Sequence, residues 1–326
     1  MYLGRRTGPF AEGLFSIDAA FASSEKGNNR LMKTYLECIP CFLKQALFAA
    51  GAATTDDRRI KEVLDGVARL IPDISMESSP PEMATRVYAL VKKITGVQDP
   101  FAQLKKESIE NALSRYTNLK RAVEEAEDPL EAAVRIAIVG NLIDFGASTE
   151  FDLDAAMEEV FDKRLAIDHF ASFRETLAKA RSVVYLGDNA GETVFDRVLI
   201  ETMEKETTYV VRDIPVINDA TDEDARRSGL DAVARILPSG CYAPGTILSG
   251  CSEDFLRAYE EADLIISKGQ GNFETLSEET GPLFFLLKVK CPVIAKHLGA
   301  ELGAMVLKNA RLHGGTPNSG RKGDGV

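Results

Sequence analysis

Ser182-Val-Val-Tyr-Leu-Gly-Asp-Asn-Ala-Gly-Glu192 is the stretch that decides the fold. Its first five residues are apolar, β-branched or aromatic save for Ser182, which reads as a short buried strand. The run stops at Gly187, and Thr193 to Met203 behind it has helical spacing. A buried strand that passes through a glycine-bearing turn into a helix is the repeating unit of a parallel, doubly wound sheet. Further strand-forming runs lie at Thr208–Val211, Val216–Ile217, Ala262–Ile266 and Pro292–Ala295, with helical text between most of them. The expected fold class is therefore α/β, with a Rossmann-like, mainly parallel sheet over residues 181–312.

Working outward, the text from Thr34 to about Ala180 is helical. Apolar residues recur three and four apart in Cys41–Ala50, Ile60–Leu70, Met83–Ile94, Phe101–Ala122 and Leu130–Ile143. Ser78-Ser-Pro-Pro81 is a break, with Pro81 suited to a helix start. Residues 33–180 are expected as a helical domain packed on the sheet. Residues 1–32 carry scattered glycines and no sustained period, and are expected as a poorly ordered extension, with Met32 as a candidate true start. Residues 313–326 are rich in Gly, Lys and Ser and are expected as a disordered tail.

The 326-residue chain holds 45% hydrophobic and 27% charged residues, a globular composition long enough for a sizeable core. Fifty acids face 39 bases, for a formal net charge of -11. That balance argues against nucleic acid or a membrane surface as partner, since both are polyanions. An anionic small molecule stays open, because a bound cation inverts the local field. No apolar run reaches the roughly 18 residues of a membrane span. The cysteines number five, an odd count with no leader before them, so a reduced, cytoplasmic setting is the simpler reading.

Open parallel sheets bind ligands at the carboxyl ends of their strands. Gly187-Asp-Asn-Ala-Gly-Glu192 follows the first predicted strand, Asn218-Asp-Ala-Thr221 the third, Ser267-Lys-Gly-Gln-Gly-Asn272 the fourth and Lys296-His297 the fifth. Hard divalent cations take carboxylate and amide oxygens, which Asp188, Asn189 and Asp219 supply. Lys268 and Lys296 suit a phosphate as point charges. Gly269 and Gly271 let backbone N–H groups approach an anion. Each piece has a plainer reading: Asp188 or Asp219 as a helix cap, Gly-x-Gly as a turn, His297 as a surface residue. Their joint occurrence at strand ends is what points to a site.

These segments, with Glu37-Cys-Ile-Pro-Cys41, Asp99-Pro-Phe101 and Gly140-Asn-Leu-Ile-Asp-Phe-Gly146, resemble the motifs of the metal-dependent damage-control phosphatases. That family is ARMT-like and was formerly catalogued as domain of unknown function eighty-nine. The Cys-x-x-Cys resembles its small archaeal and bacterial subfamily. The resemblance spans roughly Met32 to Leu312. It implies hydrolysis of phosphate esters of small metabolites, such as sugar phosphates, with Mg2+, Mn2+, Co2+ or Ni2+. It implies Asp188, Asn189 and Asp219 as metal ligands. Asp188, Glu192 and Lys296 are the expected catalytic residues, with Glu192 a supporting group or base. Lys268, Gly269, Gln270, Gly271, Asn272, Asn141 and Asp144 are the expected substrate contacts. Either Asp188 attacks phosphorus or a water activated by the ion does. Larger members of that family carry Asp where this chain has Gln270; if that Asp helps bind sugar hydroxyls, their substrate preference does not transfer.

Cys38-Ile-Pro-Cys41 has the spacing of a redox dithiol, of half a zinc site, or of two thiols packed at a helix start, and the sequence leaves all three open. Two other functions fit the scaffold: a methyltransferase, and a non-catalytic metal- or metabolite-binding protein. Gly187–Gly191 lacks the Gly-x-Gly-x-x-Gly of a dinucleotide loop. Arg86, Lys105 and Lys106 read as a solvated helix face.

Overall fold

The computed structural model describes residues 32–140 and 163–312. Within them seven strands form one sheet: β1 (Ile167–Asp168), β2 (Ser182–Leu186), β3 (Glu206–Val211), β4 (Arg235–Pro238), β5 (Leu264–Lys268), β6 (Leu283–Lys288) and β7 (Met305–Asn309). Their order is β1-β7-β6-β5-β2-β3-β4. β2 to β6 run parallel, and β7 pairs antiparallel with β6 and parallel with β1. The fold is α/β, with helices before the sheet and on both of its faces.

The central strands are apolar along their whole length because both faces are covered. In β2, Val183 and Tyr185 point to one core while Val184 and Leu186 point to the other. Phe284 and Leu286 of β6 alternate with Phe285 and Leu287 in the same way. The first core is closed by α4 (Ala102–Glu124), α5 (Pro129–Gly140), α6 (Phe170–Lys179) and α7 (Thr193–Met203). The second is closed by α9 (Glu253–Glu261), α10 (Gly269–Leu276) and α11 (Pro292–Leu298). α1 (Cys38–Ala53), α2 (Asp57–Leu70) and α3 (Pro80–Thr95) share a third core, which Phe101 and Val216 complete. β1 and α6 therefore join the sheet from ahead of residue 180. Met32 is buried in the second core.

Two expected strands have other structures. Pro292–Ala295 begins helix α11, with Pro292 in its first turn and Gly299 left-handed at its end (φ 63°). Those are helix start and stop signals that outweigh a four-residue apolar run. Val216–Ile217 is a turn: the Asp219 N–H donates to Val216 O at 3.0 Å, and Ile217 is left-handed at φ 46°. A β-branched residue there costs roughly 1–2 kcal/mol. The turn sends residues 218–220 back alongside residues 188–190. Residues 1–31, Asn141, Asp144 and the expected tail lie outside the described residues.

Candidate active site

From β2 the chain winds outward through β3 and β4, then returns to the other side of β2 as β5 and β6. The carboxyl ends of β2 and β5 therefore flank a topological switch point, where open α/β sheets form ligand crevices. A cleft of about 400 Å³ opens there. Its sheet-side lining includes Asp188, Asn189, Asn218, Asp219, Gln270, Gly271, Glu274 and Lys290.

Backbone pairing builds the floor of this cleft. The Ala190 N–H donates to Asn218 O and the Ala220 N–H to Asp188 O, both at 2.8 Å, and Asn189 bridges Asp219 in antiparallel fashion. Asp188, Asn189 and Asp219 are thereby gathered from two distant segments. Neither acid caps a helix: Thr221 caps α8 (Asp222–Arg227) in a capping box with Asp224, and Asp219 instead accepts from Arg212 Nε at 2.7 Å.

Two buried cations hold the acids. Arg212, directly after β3, also donates to Asn272 Oδ1 at 2.9 Å and Thr246 Oγ1 at 3.2 Å. Lys268, the last residue of β5, donates to Glu192 Oε2 at 2.8 Å and to Asp196 Oδ1. Asp196 further accepts from Tyr185 Oη at 2.7 Å and Tyr209 Oη at 2.8 Å. Four buried or nearly buried acids (Asp188, Glu192, Asp196, Asp219) thus share two buried cations. Burial and this excess act together on the carboxyls. Burial, then Glu192 and Asp219, push the Asp188 carboxyl well above the carboxylate range, against the pull of Lys290 and Arg212. Burial also raises Asp219, opposed by Arg212. Burial works against the charges of Lys268 and Arg212, but their acid partners outweigh it and raise both.

That donor set fits a hard divalent cation. Two carboxylates and an amide oxygen are what such an ion takes from protein, the rest of its shell being water and phosphate oxygens. Two positive charges would also balance the surplus of acid. Among the described residues no group of three or more His, Cys, Asp and Glu side chains is gathered for a metal, so Cys38 and Cys41 lack the further ligands a zinc site needs.

The sequence profile of the damage-control phosphatase ARMT1-like domain matches residues 34–306. The chain belongs to this family. A damage-control phosphatase of Pyrococcus horikoshii is 36% identical over 283 residues, 84% of this chain and 97% of that protein. One of Archaeoglobus fulgidus is 34% identical, over 85% of this chain and 99% of its own length. An uncharacterised protein of Methanocaldococcus jannaschii is 36% identical, over 86% of this chain and 97% of its own. The crystal structure of the Pyrococcus protein, described as a DUF89 family protein, superposes with a TM-score of 0.80, covering 86% of this chain and 99% of that one.

Within this damage-control phosphatase fold the expected site residues divide. Asp188, Asn189, Asp219, Gln270 and Gly271 line the cleft. Glu192 is buried beneath it, bonded to Lys268 and to the Asn189 amide. Lys268, expected on phosphate, is fully buried in its ion pairs. Asn272 is a buried rivet: it accepts from Arg212 and Thr246 and donates to Gly187 O and Lys268 O. Gly269 has no room for a side chain, because Asp188 lies against it. A Cβ there would sit 1.8 Å from Asp188 Oδ2, and its φ is +77°. Gly271 likewise admits Pro244 O, which a Cβ would meet at 2.1 Å. Lys296 is exposed in the last turn of α11 and is not among the cleft-lining residues, because Pro292–Ala295 is helix and not strand.

Lys290, Arg212 and Glu274 were not singled out in the sequence. Lys290 lies two residues beyond β6 and Arg212 one beyond β3, so the strand-end rule finds both once the strands are placed. Glu274 carries a more local signal, one turn after Gln270, whose Nε2 donates to it at 3.3 Å. Burial lifts the Glu274 carboxyl to about 7, against that hydrogen bond. Lys105 is not solvated: it is buried and pairs with Asp99 and Asp224, both at 2.8 Å.

The facing wall comes from the helical part. Glu37, Cys38, Cys41, Phe42, Gln45, Pro80, Pro81 and Ala84 line it, with Ile217, Pro244, Cys291 and Val293 at the flanks. Cys38 is the first residue of α1, and burial raises both Cys38 and Cys41 above the usual thiol range. Among the described residues no helix is long and apolar enough to cross a membrane.

Proposed function

We propose that this protein is a metal-dependent phosphatase that hydrolyses phosphate esters of small metabolites in the cleft. The observation that carries this reading is the pairing of residues 188–190 with 218–220, which assembles two carboxylates and an amide within reach of an ammonium group. Damage-control phosphatases among its relatives support it. Asp188, Asn189 and Asp219 would hold the ion; Mg2+, Mn2+, Co2+ or Ni2+, once bound, would supply Lewis acidity toward a phosphoryl oxygen.

The chain's own groups do the rest. Arg212 and Glu192 fix the ligand side chains, so little reorganisation is left for the reaction. Lys290, which lines the cleft beside Gln270, balances the negative charge of the phosphoryl group. The first turn of α10 brings Gln270 and Gly271 to the cleft, with N–H groups and a helix dipole that favour an anion. Gln270 is committed: its Oε1 accepts the Lys290 N–H at 3.0 Å while its Nε2 holds Glu274. It thus sets the lysine's segment and leaves the other face of Glu274 for a substrate hydroxyl. The half-apolar wall of α1 and α3 shields the ester from water and suits a compact sugar phosphate or a related damaged metabolite.

The test is a phosphatase assay with p-nitrophenyl phosphate and then a panel of phosphorylated metabolites, run with each divalent ion and with chelator. Turnover that needs the ion and disappears in Asp219→Ala supports the reading. Ion-independent turnover, or undiminished turnover in Asp219→Ala, overturns it.

A further inference from the structure

Asn189 occupies the cap position of a short 3-10 turn (Ala190–Glu192), yet its side chain caps nothing. An asparagine there ordinarily turns its Oδ1 back to accept a backbone N–H. Here the amide is the other way round. Its Nδ2 donates to Glu192 Oε1 and, at 3.2 Å, to Asp188 Oδ2. With the NH2 end held between two carboxylates, the carbonyl end is left to the cleft that Asn189 lines.

The carboxylate that does most of this holding is itself held. Glu192 is 1% exposed and accepts from Lys268 Nζ through its second oxygen. Lys268 is in turn pinned by Asp196, and Asp196 by the hydroxyls of Tyr185 and Tyr209, whose rings stack with centroids 5.3 Å apart on neighbouring strands. A continuous run of hydrogen bonds therefore leads from the middle of the sheet to one side of the cleft. The other side has its own support, Arg212 on Asp219.

We propose that Lys268 is a positioning residue: through Glu192 it selects the orientation of the Asn189 amide, so that Oδ1 rather than the NH2 group meets the divalent ion. This rests on the phosphatase reading above, in which Asn189 is an ion ligand. The physical need is plain. An amide can bind a cation only through its oxygen, the two ends of the side chain are nearly equal in size, and a rotated amide presents two hydrogens to the ion. A fixed carboxylate partner removes the choice. Lys268 is fully buried and is not among the cleft-lining residues, so its effect passes through Glu192.

Mn2+ binding to the full-length protein, followed by the electron paramagnetic resonance signal of free Mn2+ with no phosphate ester present, tests this. Lys268→Met removes the donor, and Glu192→Gln must turn an NH2 toward either Lys268 or Asn189, breaking one of the two links. Each is expected to weaken Mn2+ binding on the order of tenfold to 100-fold, as for other groups that orient a ligand. A metal-free readout accompanies it. The Asn189 side-chain NH2 resonances, assigned by their loss in Asn189→Ala, should exchange slowly with water in the wild type and rapidly in both variants. Circular dichroism establishes that each variant is folded; if Lys268→Met is not, Glu192→Gln alone decides. A folded variant that keeps both the wild-type affinity, within about threefold, and the slow exchange overturns the positioning role and leaves the phosphatase reading standing. A wild-type protein that does not bind Mn2+ or any other divalent ion overturns both.

Discussion

The two walls of the cleft are built on different principles. The sheet side is charged and tightly tied: Asp188, Asp219, Glu192 and Asp196 are set among Arg212, Lys268 and two tyrosines, nearly all of them buried. The helical side is half-apolar and thiol-lined, with Phe42, Pro80, Pro81, Ala84, Cys38 and Cys41 beside Glu37 and Gln45, and has its own separate core. Buried charges need several partners each, whereas a half-apolar wall needs only packing. Substitutions on the first side should act on many contacts at once, and those on the second should act locally.

The largest effect is expected at Arg212. Arg212→Met leaves Asp219 buried without its ion pair, at about 3–5 kcal/mol of stability, read by urea unfolding of the metal-free protein. A loss under about 1 kcal/mol would mean that the pair behaves as a surface contact and that the contrast between the walls is false. Next comes a pair of lysines. Lys290→Ala should lower kcat/KM about 100-fold, the scale of removing one electrostatic stabiliser, while Lys296→Ala leaves it unchanged. Steady-state kinetics on one substrate decides between them, and the reverse ranking would restore Lys296 to the site.

Glu274 sharpens the comparison through pH. Its carboxyl titrates near 7 in the fold, above the ordinary 4.5. Folded protein therefore holds a proton that unfolded protein releases between those values. The stabilisation is full below pH 4.5 and is lost as pH rises through about 7. Glu274→Gln should flatten that part of the curve and gain on the order of 1 kcal/mol relative to wild type at pH 8. Thermal unfolding between pH 5 and 8 measures it; parallel wild-type and variant curves would refute it. The smallest effect is assigned to the helical wall. Cys41→Ser should change KM by about twofold and kcat not at all, as expected of a wall side chain that holds no ion pair. A collapse of kcat would show that the thiol does more than bound the cleft.

Much of this was legible in the sequence. Buried strands announce themselves as short apolar runs, so β2 and the core of β5 were readable, and Asp188, Asn189 and the 268–272 segment followed from their ends. Thr193–Met203 is helical to the residue. What the text hid was direction and partner. Pro292–Ala295 and Val216–Ile217 are as β-branched as real strands; the flanking Pro292 and Gly299 signals make the first a helix, and tertiary context makes the second a turn. Leu283–Lys288 is the reverse case: it is a strand that the sequence reading does not place, so Lys290 beyond it stays hidden. Lys268 does stand at a strand end, yet its charge is directed inward, because Glu192 and Asp196 on the neighbouring helix side take it up. Spacing cannot report which way a strand's last side chain points when both faces are covered.

The joint between β5 and α10 has no connecting residue: Lys268 ends the strand and Gly269 begins the helix. One amino acid inserted there would turn α10 by about 100° about its axis, carrying Gln270, Gly271 and Glu274 off the cleft together and parting Asn272 from Arg212. Length variation among relatives should therefore be barred at this point, and the excursion between β4 and α9 is tied to the same helix at Pro244, Gly245 and Thr246.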